Sequence, residues 1–315
     1  MFDFVGKRYW FFLFSALIII PGIISLAVFG LKPGIDFNAG TAMTLHFSTS
    51  VEETQLRSTL SDLGYSDAIV QHTGEGDFIV RLATTDINTD QTKNTALISG
   101  LNTKLKTETE QKDLSVISAA VASQTARNAI IAVIVAAVGI LVYITFAFRK
   151  MPKPLRWGTC AVVAMIHDVL VVVGIFSILG WAAGVEIDAL FITGMLTVVG
   201  YSVHDTIVVF DRIRENQSRG GGGSFENVVN SSILQTMTRS LNTSLTVLFV
   251  LLALFVLGGS TIHYFTLVLI IGVITGTYSS VCNASQLLIV WENKEWGRFV
   301  SWIPFLRKRT LKDSA

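Results

Sequence analysis

The sequence predicts a polytopic α-helical membrane protein with six transmembrane helices and one small α+β domain inserted between the first and second of them. Three observations carry this prediction. The 315 residues are 51% hydrophobic and only 15% charged, with mean hydropathy +0.57, too apolar for a soluble globular chain. Six apolar runs are long enough to cross the ~30 Å hydrocarbon layer of a bilayer. One long polar interval, Lys32 to Thr125, has the length and mixed polarity of a small folded domain.

The spans are read at Trp10–Phe29, Asn128–Phe148, Trp157–Leu179, Ile187–Phe210, Leu241–Leu257 and Ile262–Trp291. Lys7 and Arg8 precede the first, which contains Pro21-Gly22 and no small-residue cleavage site, so it reads as an uncleaved anchor. The last is longer than one crossing needs and is expected to tilt or to extend past the headgroups. Within the polar interval the pattern gives strand Ala42–Phe47, helix Val51–Leu63, strands near Ala68–Gln71 and Phe78–Leu82, helix Thr92–Lys106 and strand Leu114–Val121, with Gly74-Glu75-Gly76 as the turn between the middle strands. That βαββαβ order is ferredoxin-like, an arrangement that hosts many unrelated functions. After the fourth span, Gly220–Gly223 form a flexible break; with Ser224 it also resembles an engineered linker, and the continuous flanking sequence favours a native one. Phe225, Val228, Val229, Ile233 and Met237 then recur at helical spacing, as a helix lying along the membrane surface or leading into span five.

Basic residues orient the chain. Arg149, Lys150, Lys153 and Arg156 come after span two, Arg212, Arg214 and Arg219 after span four, and Arg298, Arg307, Lys308, Arg309 and Lys312 lie in the tail. The connections Leu179–Glu186 and Gly258–Ile262 contain no Lys or Arg. The positive-inside rule then places both termini in the cytoplasm. The chain accordingly divides into residues 1–31 for the N-terminus and first helix, 32–125 for the outer domain, 126–291 for helices two to six with a cytoplasmic loop at 212–238, and 292–315 for a basic cytoplasmic tail.

A net charge of +1 gives no reason to expect a nucleic-acid partner. Cys160 and Cys282 both fall in apolar runs, so neither a disulfide framework nor a metal cluster is indicated. The informative residue is Asp205, a carboxylate inside a span, where an ionised acid costs roughly 3 kcal/mol on insertion scales and such groups line cavities or proton paths. Burial disfavours its charged form and a nearby arginine favours it, so titration and structural pairing are both open. Arg239 opens span five, as a snorkelling residue or as the partner of Asp205. Its polar neighbours Thr238, Asn242, Thr243 and Ser244 suggest a hydrated interior face and favour that pairing. Asp211 and Arg212 mark the exit of span four into water. His167-Asp168 repeats the His204-Asp205 pair one span earlier, but adjacent helical residues point about 100° apart and do not converge on one ion. Asp168 is equally a second relay acid or a satisfied buried one. Gly272, Gly276 and Ser280, four apart, read as a close-packing face. No nucleophile-elbow or phosphate-loop motif supports an enzyme or an ATPase.

The segments "GIDFNAG", "GYSVHDTIVVFDRIREN", "NSSILQTMTRSLNTSLT" and "GTYSSVCNAS", with the six-span layout, resemble the SecD/SecF family of protein-export membrane subunits, itself related to the resistance-nodulation-division transporters. The resemblance covers essentially the whole chain. It implies one six-span half of a twofold assembly, a non-enzymatic role in the Sec pathway, a SecD partner, the SecYEG channel, preprotein as substrate, lipid as surroundings and the bacterial plasma membrane as location. It implies no cofactor, a proton as coupling ion with sodium as the alternative, and coupling residues at Asp205 and Arg239. Two departures stand out. Ala39-Gly40 stands where the family has a glycine pair, which puts the local turn geometry in question, and His204 stands where Asn is common and offers a second group able to titrate. Two other readings, a small-molecule or lipid efflux pump and a passive scaffold, differ from this one in span number and in proton flux.

Overall fold

Among the described residues of the computed structural model, 3–34, 36–72, 76–86, 91–220 and 223–295, six helices are long and apolar enough to cross a membrane. The polar interval folds as β1 (Gly40–Phe47), α2 (Glu53–Asp62), β2 (Ile69–His72), β3 (Asp77–Leu82), α3 (Gln91–Leu105) and β4 (Thr109–Ile117), after α1 (Arg8–Phe29). Its strands form one antiparallel sheet in the order β2-β3-β1-β4, the ferredoxin-like arrangement. Alternation explains the core: Met43, Leu45, Phe47, Phe78, Val80 and Leu82 point to one face, where Leu56, Leu60, Leu97 and Leu101 cover them.

The remaining helices are α4 (Ala119–Ala147), α5 (Pro154–Ala183), α6 (Ala189–Ser218), α7 (Phe225–Leu257) and α8 (Ser260–Ser279), which continues through a π-helical turn at Ser280–Ala284 into α9 (Ser285–Glu292). Caps set several boundaries. Ser118, Asp188 and Ser224 each accept a hydrogen bond from a backbone N–H of the first turn beyond them, and Pro154 occupies the first turn of α5. The Ser118 cap ends β4 at Ile117, whereas hydropathy extends that strand to Val121. The strand begins earlier than expected because Thr109–Asp113 is a polar sheet edge with no apolar alternation to mark it. The amphipathic segment from Phe225 is one continuous helix with span five, so it leads into the bilayer. The expected turn residues Gly74 and Glu75, part of the glycine break and the basic tail beyond Glu295 lie outside the described residues.

Small residues bring the helices together. A Cβ on Gly22 would come within 2.8 Å of Gly174 Cα, so α1 and α5 touch backbone to backbone there. One turn on, Ser25 and Ser177 are hydrogen-bonded at 2.9 Å. The contacts Gly194–Val268, Val198–Gly272 and Ser202–Gly276 form a ladder along α6 and α8, with both numbers rising together, so these helices run parallel. The spacing read from Gly272 and Gly276 as close packing is therefore the seam of the bundle.

The folded domain is fastened to one end of the bundle through the α5–α6 loop. Pro33 pairs with Ile187 as a parallel bridge, Gly34 N–H donates to Ile187 O at 2.8 Å, and Arg81 on β3 forms an ion pair with the buried Glu186. At the opposite end Arg8 pairs with Glu295 at 2.7 Å and Arg156 with Glu292, tying the first and third spans to the end of the sixth.

Candidate functional site

Helix α6 carries Asp205 on the face that meets α8, three residues past Ser202, and buries it to 8% exposure. Two hydroxyls hold its carboxylate. Ser240 Oγ of α7 donates to Oδ1 at 2.6 Å, and Ser280 Oγ, the first residue of the π turn, donates to Oδ2. A π turn adds one residue to the helical circuit and rotates the rest of the helix about its axis. Ser279, just before the turn and the last residue of α8, points about 100° away from Ser280 around the helix and reaches the other acid, Ser279 Oγ donating to Asp168 Oδ2 at 2.7 Å. Asp168, on α5 and 1% exposed, accepts a further bond from Ser202 Oγ and lies 2.9 Å from His167 Nδ1. Tyr201 OH, Ser244 Oγ and Thr277 Oγ1 extend the network at 3.0 and 2.6 Å. Two buried acids on two helices are thus joined by adjacent residues of a third.

The expected pairing of Asp205 with Arg239 is not present: among the described residues no ion pair joins them, and the donor from α7 is the next residue, Ser240. The reason is the helical step, since adjacent side chains diverge by about 100°. With Ser240 facing the bundle, Arg239 is exposed. It lines a groove of about 400 Å³ with Ile207, Val208, Asp211, Arg212, Gln235 and others on the outer surface of α6 and α7. Asp211 pairs with Arg214, and Arg212 donates from Nε to Gln235 Oε1 at 2.6 Å, so both sit at the wet end of α6. Thr243 returns its hydroxyl to Arg239 O at 2.9 Å and stays outside the network. His204 is exposed on the side of α6 away from the acids, so it adds no group to the site. Ser244 belongs to it. Sequence reasoning missed Ser202, Ser240 and Ser279 and gave Ser280 only a packing role. The one available signal was the doublet Ser279-Ser280 in an apolar span.

At the domain end, burial pushes the Glu186 carboxyl above the ordinary value against the opposing pull of Arg81 and Lys32. Burial likewise raises Asp188. Within the domain, hydrogen bonds from Lys112 and His46 hold Asp77 below the usual carboxylate range.

Six apolar helices, a ferredoxin-like domain between the first and second, and paired acids in the middle of the bundle define a membrane transport subunit. Comparison with known proteins places it. The model "Protein export membrane protein SecD/SecF, C-terminal" matches residues 98–294 and the "SecD/SecF GG Motif" matches residues 24–51. Protein translocase subunit SecF of Thermobaculum terrenum is 51% identical over 306 residues, 95% of this chain and 96% of that one. Protein translocase subunit SecDF of Bacillus subtilis is 34% identical, over 93% of this chain and 38% of the longer one. The crystal structure of SecDF from Thermus thermophilus superposes with a TM-score of 0.81 at 33% identity, over 93% of this chain and 39% of that chain. A SecDF structure in a super-membrane-facing form gives 0.66 at 32% identity, over 95% and 40%. The chain belongs to the SecD/SecF family and is a multi-pass subunit of a protein translocase.

Within the matched glycine motif, Ala39 is not among the residues with positive φ, so its backbone takes an ordinary side chain. The second position tolerates no such change: a Cβ on Gly40 would lie 2.5 Å from Leu82 O.

Proposed function

We propose that this chain is the SecF-type half of a proton-driven device that, with a SecD-type partner, promotes preprotein movement out of the SecYEG channel on the outer side of the bacterial plasma membrane. It works by changing helix packing and catalyses no chemical reaction. The observation that carries the reading is the Asp205 carboxylate, buried mid-helix and held by two neutral hydroxyls from two other helices, with no cation paired to it among the described residues. A buried charge without a counter-charge is costly, and protonation removes that cost. A protonated carboxyl also becomes a donor at one oxygen, so one of the two serines loses its acceptor. Ser280 has another to hand in Thr277 O at 3.0 Å. Proton occupancy at Asp205 is thereby converted into a change of contact among α6, α7 and α8.

Two SecDF structures of nearly equal identity and coverage differ in likeness to this chain, 0.81 against 0.66, which supports more than one arrangement within the family. The role assigned to Arg239 comes from its place beside Ser240 on α7: a turn of α7 brings it toward the acid while the carboxylate is ionised, and protonation of Asp205 removes the charge that would hold it there. One charge crossing 100 mV supplies about 2.3 kcal/mol, which biases a two-state equilibrium roughly fiftyfold. Both termini face the cytoplasm in this reading, as the basic loops require. The SecD-type partner supplies the second six-span half, because SecDF relatives carry both in a single chain.

The test is gradient-dependent export in membranes containing the chain, its SecD-type partner and SecYEG. Asp205→Asn is expected to abolish the stimulation by the proton gradient while leaving co-purification with the partner intact. Unaltered gradient dependence would refute the reading. Replacing sodium by potassium in the same assay distinguishes the coupling ion. A passive scaffold is the second reading, favoured by the two hydrogen bonds that satisfy Asp205 in this arrangement; proton flux that does not depend on Asp205 is its signature.

A further inference from the structure

The acid network has a branch that the Asp205 reading leaves unused. Asp168 bonds His167 Nδ1 at 2.9 Å while accepting from Ser202 and Ser279, so all its partners are polar. With Nδ1–H donating to the carboxylate, the other ring nitrogen, Nε2, carries the lone pair. That atom is buried with no hydrogen-bond partner, on a side chain only 10% exposed. The ring lies beside a second polar cluster formed by α1, α8 and the π turn. The His167 ring lies 6.1 Å from the Tyr278 ring, Ser15 Oγ is 3.3 Å from Tyr278 OH and 3.1 Å from Asn283 Oδ1, and Asn283 Nδ2 is also buried and unpartnered, on a residue 4% exposed. Buried polar atoms of this kind are ordinarily satisfied by internal water.

We infer that His167 is a second proton-accepting site of this protein: its Nε2 takes a proton from water held in the Ser15–Tyr278–Asn283 cluster, and Asp168 is the positioning residue that fixes the ring tautomer and faces the resulting charge. The balance is simple. A hydronium ion gives its proton to the Nε2 lone pair, one O–H bond breaks, one N–H bond forms, and a water molecule remains. The imidazolium, +1, then stands beside the carboxylate, −1. The groups around the pair are few. Helix α8 presents Tyr278, with Cys282 beside it, and Ser279; α6 presents Ser202, with Asp205 one turn further along. From α1 comes the uncharged Ser15, while the titratable Arg127 and Tyr143 of α4 are exposed. Because Ser279 bonds Asp168 and Ser280 bonds Asp205, a change of charge at His167 reaches the second acid through two adjacent residues at the junction of α8 and the π turn. This gives the proposed motor two protonation sites in one half. Its purpose rests on the proton-driven reading, but its test does not.

The experiment is ¹⁵N solid-state NMR of ring-labelled histidine in the full chain with its SecD-type partner in lipid bilayers. The His167 signal is assigned by replacing the other four histidines, all of which lie outside the cluster. The expected result is the Nδ1–H tautomer in alkaline samples and an imidazolium that appears on acidification, with its signal at a fixed acid pH falling by about tenfold or more in Asp168→Asn. An Nε2–H tautomer, or a ring neutral throughout, overturns the proposal, and an imidazolium signal indifferent to Asp168→Asn overturns the positioning role. In Asp205→Asn the His167 titration persists while gradient-dependent export is lost. If that export survives but His167 titrates as described, the Asp205 reading fails and this one stands.

Discussion

Hydroxyl groups in a membrane helix usually return a hydrogen bond to the carbonyl four residues back, as Thr243, Thr275 and Thr197 do here. Ser240 and Ser280 depart from that habit by reaching a carboxylate on another helix, which is why the sequence announces Asp205 and not its partners. An acid in an apolar run is conspicuous, whereas a serine there is common and its direction depends on packing. Their value is open to measurement. A hydrogen bond to a charged group contributes about 1.5–3 kcal/mol, so Ser280→Ala is expected to lower stability by that order at neutral pH, read from denaturant unfolding in bilayer mimetics. The same change in an Asp205→Asn background should cost clearly less, because the acceptor is then neutral; equal costs in both backgrounds would mean the bond matters only as packing. Asp77 offers a residue-scale test outside the membrane. Lys112 and His46 hold its carboxyl below the ordinary range, so the folded state binds fewer protons there than the unfolded one. Its contribution is present above the usual Asp value of about 4 and is lost as pH falls through the lowered folded value. Hydrogen exchange of the β1, β3 and β4 amides should therefore quicken in that acid window, and Asp77→Asn should remove the dependence.

Elements were legible to the degree that a period or a cap announces them. The six spans, the two helices of the domain and three of its strands track hydrophobic periodicity, and Ser118, Asp188 and Ser224 mark helix starts that hydropathy blurs. The edge strand β4 was displaced because an exposed polar strand has no apolar face to read. The π turn at Ser280–Ala284, all five residues of it buried, has no periodicity or cap in the sequence to announce it. The glycines distinguish seam from surface at this scale. A Cβ on Gly272 would overlap the side chain of Val198, whereas one on Gly139 of α4 meets nothing within 4 Å. Gly272→Ala is accordingly expected to destabilise the bundle by about 1–3 kcal/mol through overpacking. Gly139→Ala should stabilise it by up to about 1 kcal/mol, the ordinary gain of alanine over glycine in a helix interior. Thermal unfolding of the two variants side by side checks both the magnitude and the opposite signs.

For the molecule as a whole, the question is how a change among buried acids reaches a folded domain at the end of the bundle. The route available is the α5–α6 loop, because α5 carries Asp168, α6 carries Asp205, and the loop between them carries Glu186, paired with Arg81 of β3. Lys32 O and Asp36 Oδ2 accept from Ile187 and Ala189 N–H at 2.9 and 2.8 Å, so the linker from α1 is stitched to the same loop. Burial dominates at Glu186 and raises its carboxyl above the ordinary value despite Arg81. The docked state therefore binds more protons than an undocked one over the window between the usual Glu value and the raised one. By linkage, docking strength from this group is full below about pH 4, the usual Glu value, and declines as pH rises through the raised value. Asp188, also raised by burial, acts with the same sign. Acid on the domain side is thus expected to tighten the clasp. Spin labels on β3 and on the outer end of α6 in the full-length chain should report a narrower distance distribution on acidification from about pH 7 to about pH 4. Glu186→Gln should be narrower than the parent at about pH 7 and respond less to pH, since the neutral amide mimics the protonated acid and only the Asp188 share of the response remains. A distribution that widens in acid, or one in Glu186→Gln that still responds to pH as the parent does, would assign the pH response to some other group and leave the Arg81–Glu186 pair as a static fastening.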